Sequence, residues 1–183
     1  MIGLDVMWDR AQLSGKLDAN SGAEYISANI ARYATVAEIV ELPWWWIGCI
    51  HQLESGGDFN CHLHNGDPLT ARTVHVPSGR PLIGNPPFTW EQSAIDALFY
   101  QGLGHGMITD YASALDRAER YNGLGYRNRG LPSPYLWSGT DQYVSGKFVK
   151  DGVFDPHAVS EQVGVAALML ALQENHITLF IGV

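Results

Sequence analysis

The sequence predicts an α+β protein that is mostly helical, and two patterns indicate this class. Along most of the chain, apolar residues recur every three or four positions, as they do on one face of an α-helix. One stretch near the front alternates apolar and polar residues instead, from Phe59 to Leu63, and reaches Asn65-Gly66, a strong hairpin turn signal. We therefore expect a small β-hairpin there, whose returning strand covers residues 69–76.

Length and composition indicate one globular domain, residues 1–183. The hydrophobic fraction is 46% and the charged fraction 16%, which is enough to build a sizeable core. The net charge is −8 and the eleven Lys and Arg residues are scattered, which argues against nucleic acid as a partner. No apolar stretch approaches the roughly 18 residues that span a bilayer, and no cleavable signal peptide is visible. We expect Cys49 and Cys61 to be free thiols.

Two helices are predicted in the first third of the chain. Ser21 and Glu24 fit a capping box, and the helix that they begin is expected to run to Leu42. Pro43 suits the first position of a second helix. That helix should end at about Ser55, because two glycines follow it.

Further helices and a second short hairpin are predicted after the first hairpin. Thr89 and Gln92 form another capping box at the start of the third helix. An irregular aromatic segment separates the fourth helix from the second hairpin. The three helices are predicted at residues 89–102, 111–123 and 155–172, and the hairpin at 143–154.

The residue that indicates chemistry is Glu54, at the C-terminal end of the second helix. It shares a helical face with Ile47 and Ile50. Apolar neighbours and the negative end of the helix dipole both disfavour the ionised form, so the pKa of Glu54 should rise. A carboxylic acid that stays protonated near neutral pH can serve as a general acid. The alternative is an exposed glutamate that only solvates the helix end.

The hairpin turn supplies a second carboxylate, Asp67, thirteen residues after Glu54 and close to Thr73. Glycoside hydrolysis uses two carboxyl groups, one that protonates the leaving oxygen and one that activates water or stabilises positive charge. Asp67 is also compatible with ordinary turn chemistry, because Asn-Gly-Asp-Pro is a common turn sequence. Asp58 is the rival second carboxylate.

The order of these motifs resembles the lysozyme-like superfamily, which includes goose-type lysozymes, soluble lytic transglycosylases and phage endolysins. Three motifs follow one another along the chain: Glu-Ser at a helix end, a polar hairpin, and Tyr-Asn-Gly after a later helix. A longer stretch is also similar to lysozyme-like proteins of phages and bacteria: HQLESGGDFNCHLHNGDPLTARTVHVP followed by PPFTWEQSAIDAL. The resemblance covers roughly residues 40–175 and implies a lysozyme-like fold with the hairpin beside the active-site helix. Leu53 departs from many relatives, which have a polar or basic residue before Glu-Ser.

The resemblance implies a peptidoglycan hydrolase, a muramidase that cleaves the β-1,4 bond from N-acetylmuramic acid to N-acetylglucosamine without a cofactor. Glu54 would be the general acid, and Asp67, helped by Thr73, would position or activate water. The other residues expected at the substrate are His62, His64, Tyr121, Asn122, Tyr126, Tyr135 and Trp137.

Three alternatives remain open. A lytic transglycosylase would use Glu54 alone, and Tyr121 with Asn122 matches the Tyr-Asn motif of such enzymes. A non-catalytic carbohydrate-binding module would use the aromatic residues between 126 and 137 and would not need Glu54. His62 and His64, together with His51 and Glu54, also suggest a metal site, but HExxH is absent and we expect no metal.

The expected partner is the peptidoglycan glycan strand, and a monomer is expected, without nucleic acid and without stable insertion into a membrane. Because no signal peptide is visible, we expect synthesis in the cytoplasm. The activity would be needed in the periplasm or cell wall, reached through a holin or by delivery as a virion component, as the resemblance to endolysins implies.

Overall fold

The computed structural model describes residues 3–180 and is mostly helical, with one small antiparallel sheet. The helices are α1 (Leu4–Trp8), α2 (Ala19–Ala28), α3 (Ile30–Val40), α4 (Trp44–Ser55), α5 (Trp90–Tyr100), α6 (Tyr111–Asn122), α7 (Pro134–Trp137) and α8 (Val165–Glu174). The sheet pairs β1 (Lys147–Lys150) with β2 (Val153–Asp155), and Arg127–Arg129 forms a 3₁₀ turn. The predicted α+β class with mainly helical content is confirmed. Among residues 3–180, no helix is both long enough and apolar enough to span a bilayer.

The chain folds into two compact units. The first unit is built from both ends of the chain, Met1–Glu24 and Ile108–Val183, and the second is the continuous segment Tyr25–Met107. The boundary on the N-terminal side falls inside α2. Glu54 and the loop after it belong to the second unit, and the Tyr-Asn-Gly segment belongs to the first.

The core of the second unit forms where α3 packs against both α4 and α5. α4 is the most buried of these helices, because the side chains from Trp45 to Ile50 are all inaccessible to solvent or nearly so. Gly48 permits this packing: a Cβ atom at that position would lie 2.6 Å from Cγ2 of Ile26. The helix that carries Glu54 is therefore held on several sides.

The core of the first unit is formed by α1, α6, α7 and α8. α8 supplies an almost continuous apolar surface, since its residues from Val165 to Met169 are buried. In the sheet, Phe148 pairs with Phe154, and both rings contact Tyr126 at centroid distances of 5.1 and 6.5 Å. The second predicted hairpin is therefore present, within residues 147–155.

Capping residues in the sequence predicted helix ends correctly where the capping contacts join residues close together in the chain. α4 begins directly after Pro43 and ends before Gly56, which has a left-handed backbone at φ 62°. At α5, the Thr89 hydroxyl accepts the N–H of Gln92 and the Gln92 side chain accepts the N–H of Thr89, so this capping box is confirmed. α6 ends at Asn122, as expected.

The first helix was predicted wrongly in two respects. It starts at Ala19 rather than at Ser21, and Asp18 accepts both the N–H and the hydroxyl of Ser21, so the capping group lies three residues earlier. The predicted single helix is also divided at Asn29 into α2 and α3. Asn29 donates its side-chain amide to the carbonyl of Tyr25, a local bond that competes with helix continuation.

Two further predictions need correction, and one helix was missed. α8 begins at Val165 and not at Asp155-Pro156, because Asp155 belongs to β2. The hairpin expected beside α4 is reduced to a single antiparallel bridge, Cys61 with Pro68, and residues 69–76 form loop. α1 was not predicted at all. Both cysteines are free, as expected.

Candidate functional site

Glu54 lies in the last turn of α4 and is half-buried. The helix ends in a fixed way, since the N–H groups of Gly56 and Gly57 donate to the carbonyls of Gln52 and His51 at 3.1 and 3.2 Å. Leu53, the residue before Glu54, is buried. The carboxyl group of Glu54 is therefore presented at the negative end of a helix that is packed into the core.

One turn before Glu54, His51 is completely buried among aromatic rings. Its Nδ1 atom is 3.0 Å from the Tyr33 hydroxyl, and its ring centroid is 4.7 Å from Phe59 and 4.5 Å from Trp90. Burial lowers the pKa of His51 to about 4, so the ring is neutral at neutral pH. His51 therefore helps to pack the end of α4 against its neighbours as an uncharged ring.

Asp67 is buried and organises the loop that follows α4. Its Oδ2 atom accepts the N–H groups of Val74 and His75 at 2.8 and 3.0 Å, and its Oδ1 atom accepts Nδ1–H of His75 at 2.6 Å. The His75 side chain first, and then the backbone donors, hold the pKa of Asp67 far below its usual range. Asp67 is consequently ionised near neutral pH.

Thr73 closes the next part of the same loop and is buried. Its hydroxyl donates to the carbonyl of Pro77 at 2.5 Å and accepts the N–H of Arg80 at 2.9 Å. Its backbone N–H also donates to the carbonyl of Arg80, and its own carbonyl accepts the N–H of Gly79. These four bonds define a closed turn over residues 73–80.

His62 joins the loop to α5. The Nε2 atom of His62 lies 2.8 Å from the carbonyl oxygen of Ala71. Because a carbonyl oxygen can only accept, Nε2 carries the hydrogen and donates it. The Nδ1 atom lies 2.8 Å from the hydroxyl of Ser93 on α5. His62 is fully buried, so it contacts the loop and α5 rather than solvent.

His64 lies beside His62 and reaches the same helix. Its Nε2 atom is 2.8 Å from Asp96, and its Nδ1 atom is 3.4 Å from Ser93. Both oxygens of Asp96 also bind Arg80, at 2.8 and 2.9 Å. Burial lowers the pKa of His64, an effect that the hydrogen bond and charge of Asp96 oppose. Within residues 3–180, no cluster of three His, Cys, Asp or Glu side chains suits a metal ion.

In the first unit, three of the predicted substrate residues line one groove of about 320 Å³: Asn122, Tyr126 and Tyr135. Lys147 and Phe148 of β1 line it too. The Tyr126 hydroxyl accepts the N–H of Phe148 at 2.9 Å, which ties the groove wall to the sheet. Tyr121 is half-buried in the last turn of α6, and Trp137 is buried at the end of α7, in the wall of a different cavity.

Sequence reasoning missed the residues that support the predicted ones. These are Ser93, Asp96 and Arg80 behind the two histidines, and His75 on Asp67. One signal was available, because Ser93 and Asp96 lie three apart on one face of the third predicted helix. The contact of that face with the histidines depends on how the loop folds, which no local pattern encodes.

Each unit thus contributes a different kind of candidate site. The second unit has a carboxyl group at a helix end, followed by a loop built around an ionised aspartate. The first unit has a groove lined by tyrosines, an asparagine and a lysine. No protein-family model, no curated protein and no solved structure matches this chain.

Proposed function

We propose that the protein is a glycosidase that cleaves peptidoglycan, with Glu54 as its general acid. The observation that carries the proposal is the placement of Glu54, half-buried at the C-terminus of α4 and followed by a loop that holds Asp67 ionised. A carboxyl group that is partly removed from water at a helix C-terminus retains its proton more readily than an exposed one. Two carboxyl groups in unlike surroundings suit separate acid and charge-stabilising roles.

The proposed reaction is hydrolysis of the β-1,4 bond between N-acetylmuramic acid and N-acetylglucosamine. Glu54 gives its proton to the glycosidic oxygen as the bond from this oxygen to C1 of the muramic acid breaks. Water then adds to C1 and loses one proton, and the Glu54 carboxylate takes up a proton again, so that the acid is restored for the next cycle. Such an enzyme would act in the periplasm or cell wall.

Asp67 would stabilise the positive charge that develops at C1 and hold the attacking water. An ionised carboxylate accepts about four hydrogen bonds, and three are used within the loop, so one position remains for water. Thr73 would assist by keeping the loop closed. We give His62 and His64 the same supporting role, because both side chains are engaged with the loop and α5.

The groove of the first unit would bind the glycan. Tyr126 and Tyr135 are each only 8% exposed, so they would form the firm wall of the groove rather than stack on a sugar. The exposed Asn122 side chain can hydrogen-bond to hydroxyl groups. Lys147 adds a positive charge suited to the lactyl or peptide carboxylates of the wall. Trp137 is only about 1% exposed, so it would support this region from within rather than stack on a sugar.

A lytic transglycosylase is the second candidate, and the hydrogen bonds of Asp67 favour it. Three of its bonds are used to build the loop, which is a sufficient reason for an aspartate at this position. Glu54 would then act first as acid and next as base, taking the proton from the C6 hydroxyl of the muramic acid as this oxygen attacks C1. The product would be an anhydro sugar that is lighter by one water.

Mass spectrometry of muropeptides released from purified peptidoglycan tests the proposal. Wild type should release products, and Glu54→Gln should release none. Products with reducing ends identify a hydrolase, and anhydro products identify the transglycosylase. Glu41→Gln is a matched control, because Glu41 is an exposed glutamate at the end of α3 in the same unit. Undiminished release by Glu54→Gln would refute the acid role, and wall binding without release by wild type would indicate a carbohydrate-binding module.

A further inference from the structure

A second cavity lies within the first unit and shares no lining residue with the groove described above. Its volume is about 420 Å³, within the range of small-molecule sites. Five apolar side chains line it: Leu4, Met7, Leu131, Pro132 and Trp137. Three polar side chains, Glu119, Ser133 and Gln142, are also part of its wall.

Ser133 has an unusual feature, a buried hydroxyl group without a hydrogen-bond partner. The residue is 1% exposed and precedes α7 directly. Its carbonyl accepts the N–H groups of Leu136 and Trp137, whereas its hydroxyl has no partner. Because buried hydroxyl groups almost always have a partner, a free one in a cavity wall points to a ligand that supplies it.

Glu119 contributes a carboxylate that is 4% exposed. Its Oε2 atom accepts Nε–H and Nη2–H of Arg127, at 2.7 and 2.5 Å. Arg127 also binds Asp116, which in turn binds Arg120, so two carboxylates face two guanidinium groups. The charges of this cluster balance, and the cavity therefore suits a neutral ligand better than an ion. The carboxylate can still accept a further N–H or O–H group.

We propose that this cavity is a second binding site, and that it takes the neutral acetamido group of an N-acetylhexosamine. The acetamido N–H would donate to Glu119, and its carbonyl oxygen would accept the hydroxyl of Ser133. The methyl group would pack against the apolar wall, where Leu131 and Met7 lie. That the sugar comes from the wall glycan rests on the function proposed above. The binding of the sugar itself requires neither Glu54 nor cleavage.

An NMR titration of the intact protein with N-acetylglucosamine tests this site. The amide signals of Leu131 and Ser133 should shift on binding. Glucose, which lacks the acetamido group, and glucosamine, which carries an ammonium group there, should each bind at least about fivefold more weakly, as expected for one lost hydrogen bond. Equal binding of glucose, or tighter binding of glucosamine, would overturn the proposal.

Two buried serines that flank α7 provide a matched pair of variants. Ser133→Ala should weaken binding of N-acetylglucosamine about fivefold and leave the melting temperature unchanged or higher, because it removes an unsatisfied hydroxyl. Ser138 is also 1% exposed, but its hydroxyl donates to the carbonyl of Ser160. Ser138→Ala should lower the melting temperature and leave the affinity unchanged.

Absence of shifts in the cavity, or unchanged affinity in Ser133→Ala, would mean that water alone occupies the site and would overturn the proposal. The two proposals of function can fail separately. Binding lost in Ser133→Ala, combined with full wall cleavage by Glu54→Gln, would refute the acid role and leave the acetamido site intact.

Discussion

At the residue scale, the buried His51 should make the stability of the protein depend on pH. Its pKa is about 4 in the folded state and about 6.5 in an unfolded chain. Between these values only the unfolded state binds the proton, so the free energy of unfolding falls as the pH falls from 6.5 to 4. The shift corresponds to about 3 kcal/mol that is fully present above pH 6.5.

Urea unfolding of wild type and His51→Phe at pH 7.5 and pH 5 measures this effect. The variant should lose less stability on acidification than wild type. It should keep some pH dependence, because burial also lowers the pKa of His64 and acts in the same direction. Equal losses of stability in the two proteins would show that His51 is hydrated and not held neutral by its aromatic neighbours.

Asp67 should affect stability in a more acidic range. Its folded pKa lies below that of an unfolded aspartate, about 3.9, so its stabilising effect is present above that pH and is lost as the pH falls below it. Asp67→Asn should therefore lower the melting temperature at pH 7, with a smaller difference from wild type at pH 2.5. Amide exchange at Val74 should also accelerate, because its N–H donates to Asp67.

Asp151→Asn is the control for that variant, since Asp151 is exposed in the turn between β1 and β2. It should leave both the melting temperature and the exchange rate of Val74 near the wild-type values. A melting temperature of Asp67→Asn that equals wild type at pH 7 would contradict the role of Asp67 in the loop.

At the scale of elements, the sequence predicted what depends on neighbours in the chain. The capping box at Thr89 and the glycine stop after Ser55 involve contacts over three or four residues, and both are correct. Glu54 was therefore placed correctly at a helix end. The returning strand of the first hairpin was wrong, because side chains such as Asp67 and Thr73 bind the backbone groups that a strand would have used.

The candidate site was predictable to the same extent. Helical spacing and turn signals singled out Glu54 and Asp67, but not the partners that determine what they can do. Asp67 owes its low pKa to His75, eight residues away, and His64 meets Asp96 across 32 residues. Such contacts arise only after the loop has folded onto α5, so sequence patterns alone do not identify them.

The packing of α4 gives a prediction at this scale. Gly48→Ala should destabilise the protein by about 1–3 kcal/mol, because the new Cβ atom would meet Ile26, whose branched side chain cannot rotate away. Gly22→Ala on α2 is the control, since its Cβ atom would meet only the tip of the flexible Leu168 side chain. Thermal and urea unfolding should show a smaller loss for Gly22→Ala. Equal losses would show that helix packing does not limit position 48.

At the scale of the whole molecule, the net charge of −8 should limit how fast the protein acts on an anionic wall. If it cleaves peptidoglycan as proposed, repulsion between the protein and the wall carboxylates slows their encounter at low ionic strength. Salt screens this repulsion, and the screening length falls from about 30 Å at 0.01 M to about 10 Å at 0.1 M. The cleavage rate should therefore rise with added NaCl over this range.

The control substrate is the same wall with its carboxylates converted to amides, which removes the repulsion and leaves the glycan bonds unchanged. At 0.01 M salt, the amidated wall should be cleaved faster than native wall. Its cleavage rate should also change little as salt is added. A rate on native wall that falls with salt would mean that local positive charge outweighs the net charge. Lys147 in the groove would be the first residue to test, since Lys147→Gln should then reverse the trend. Such a reversal would locate wall binding in the first unit.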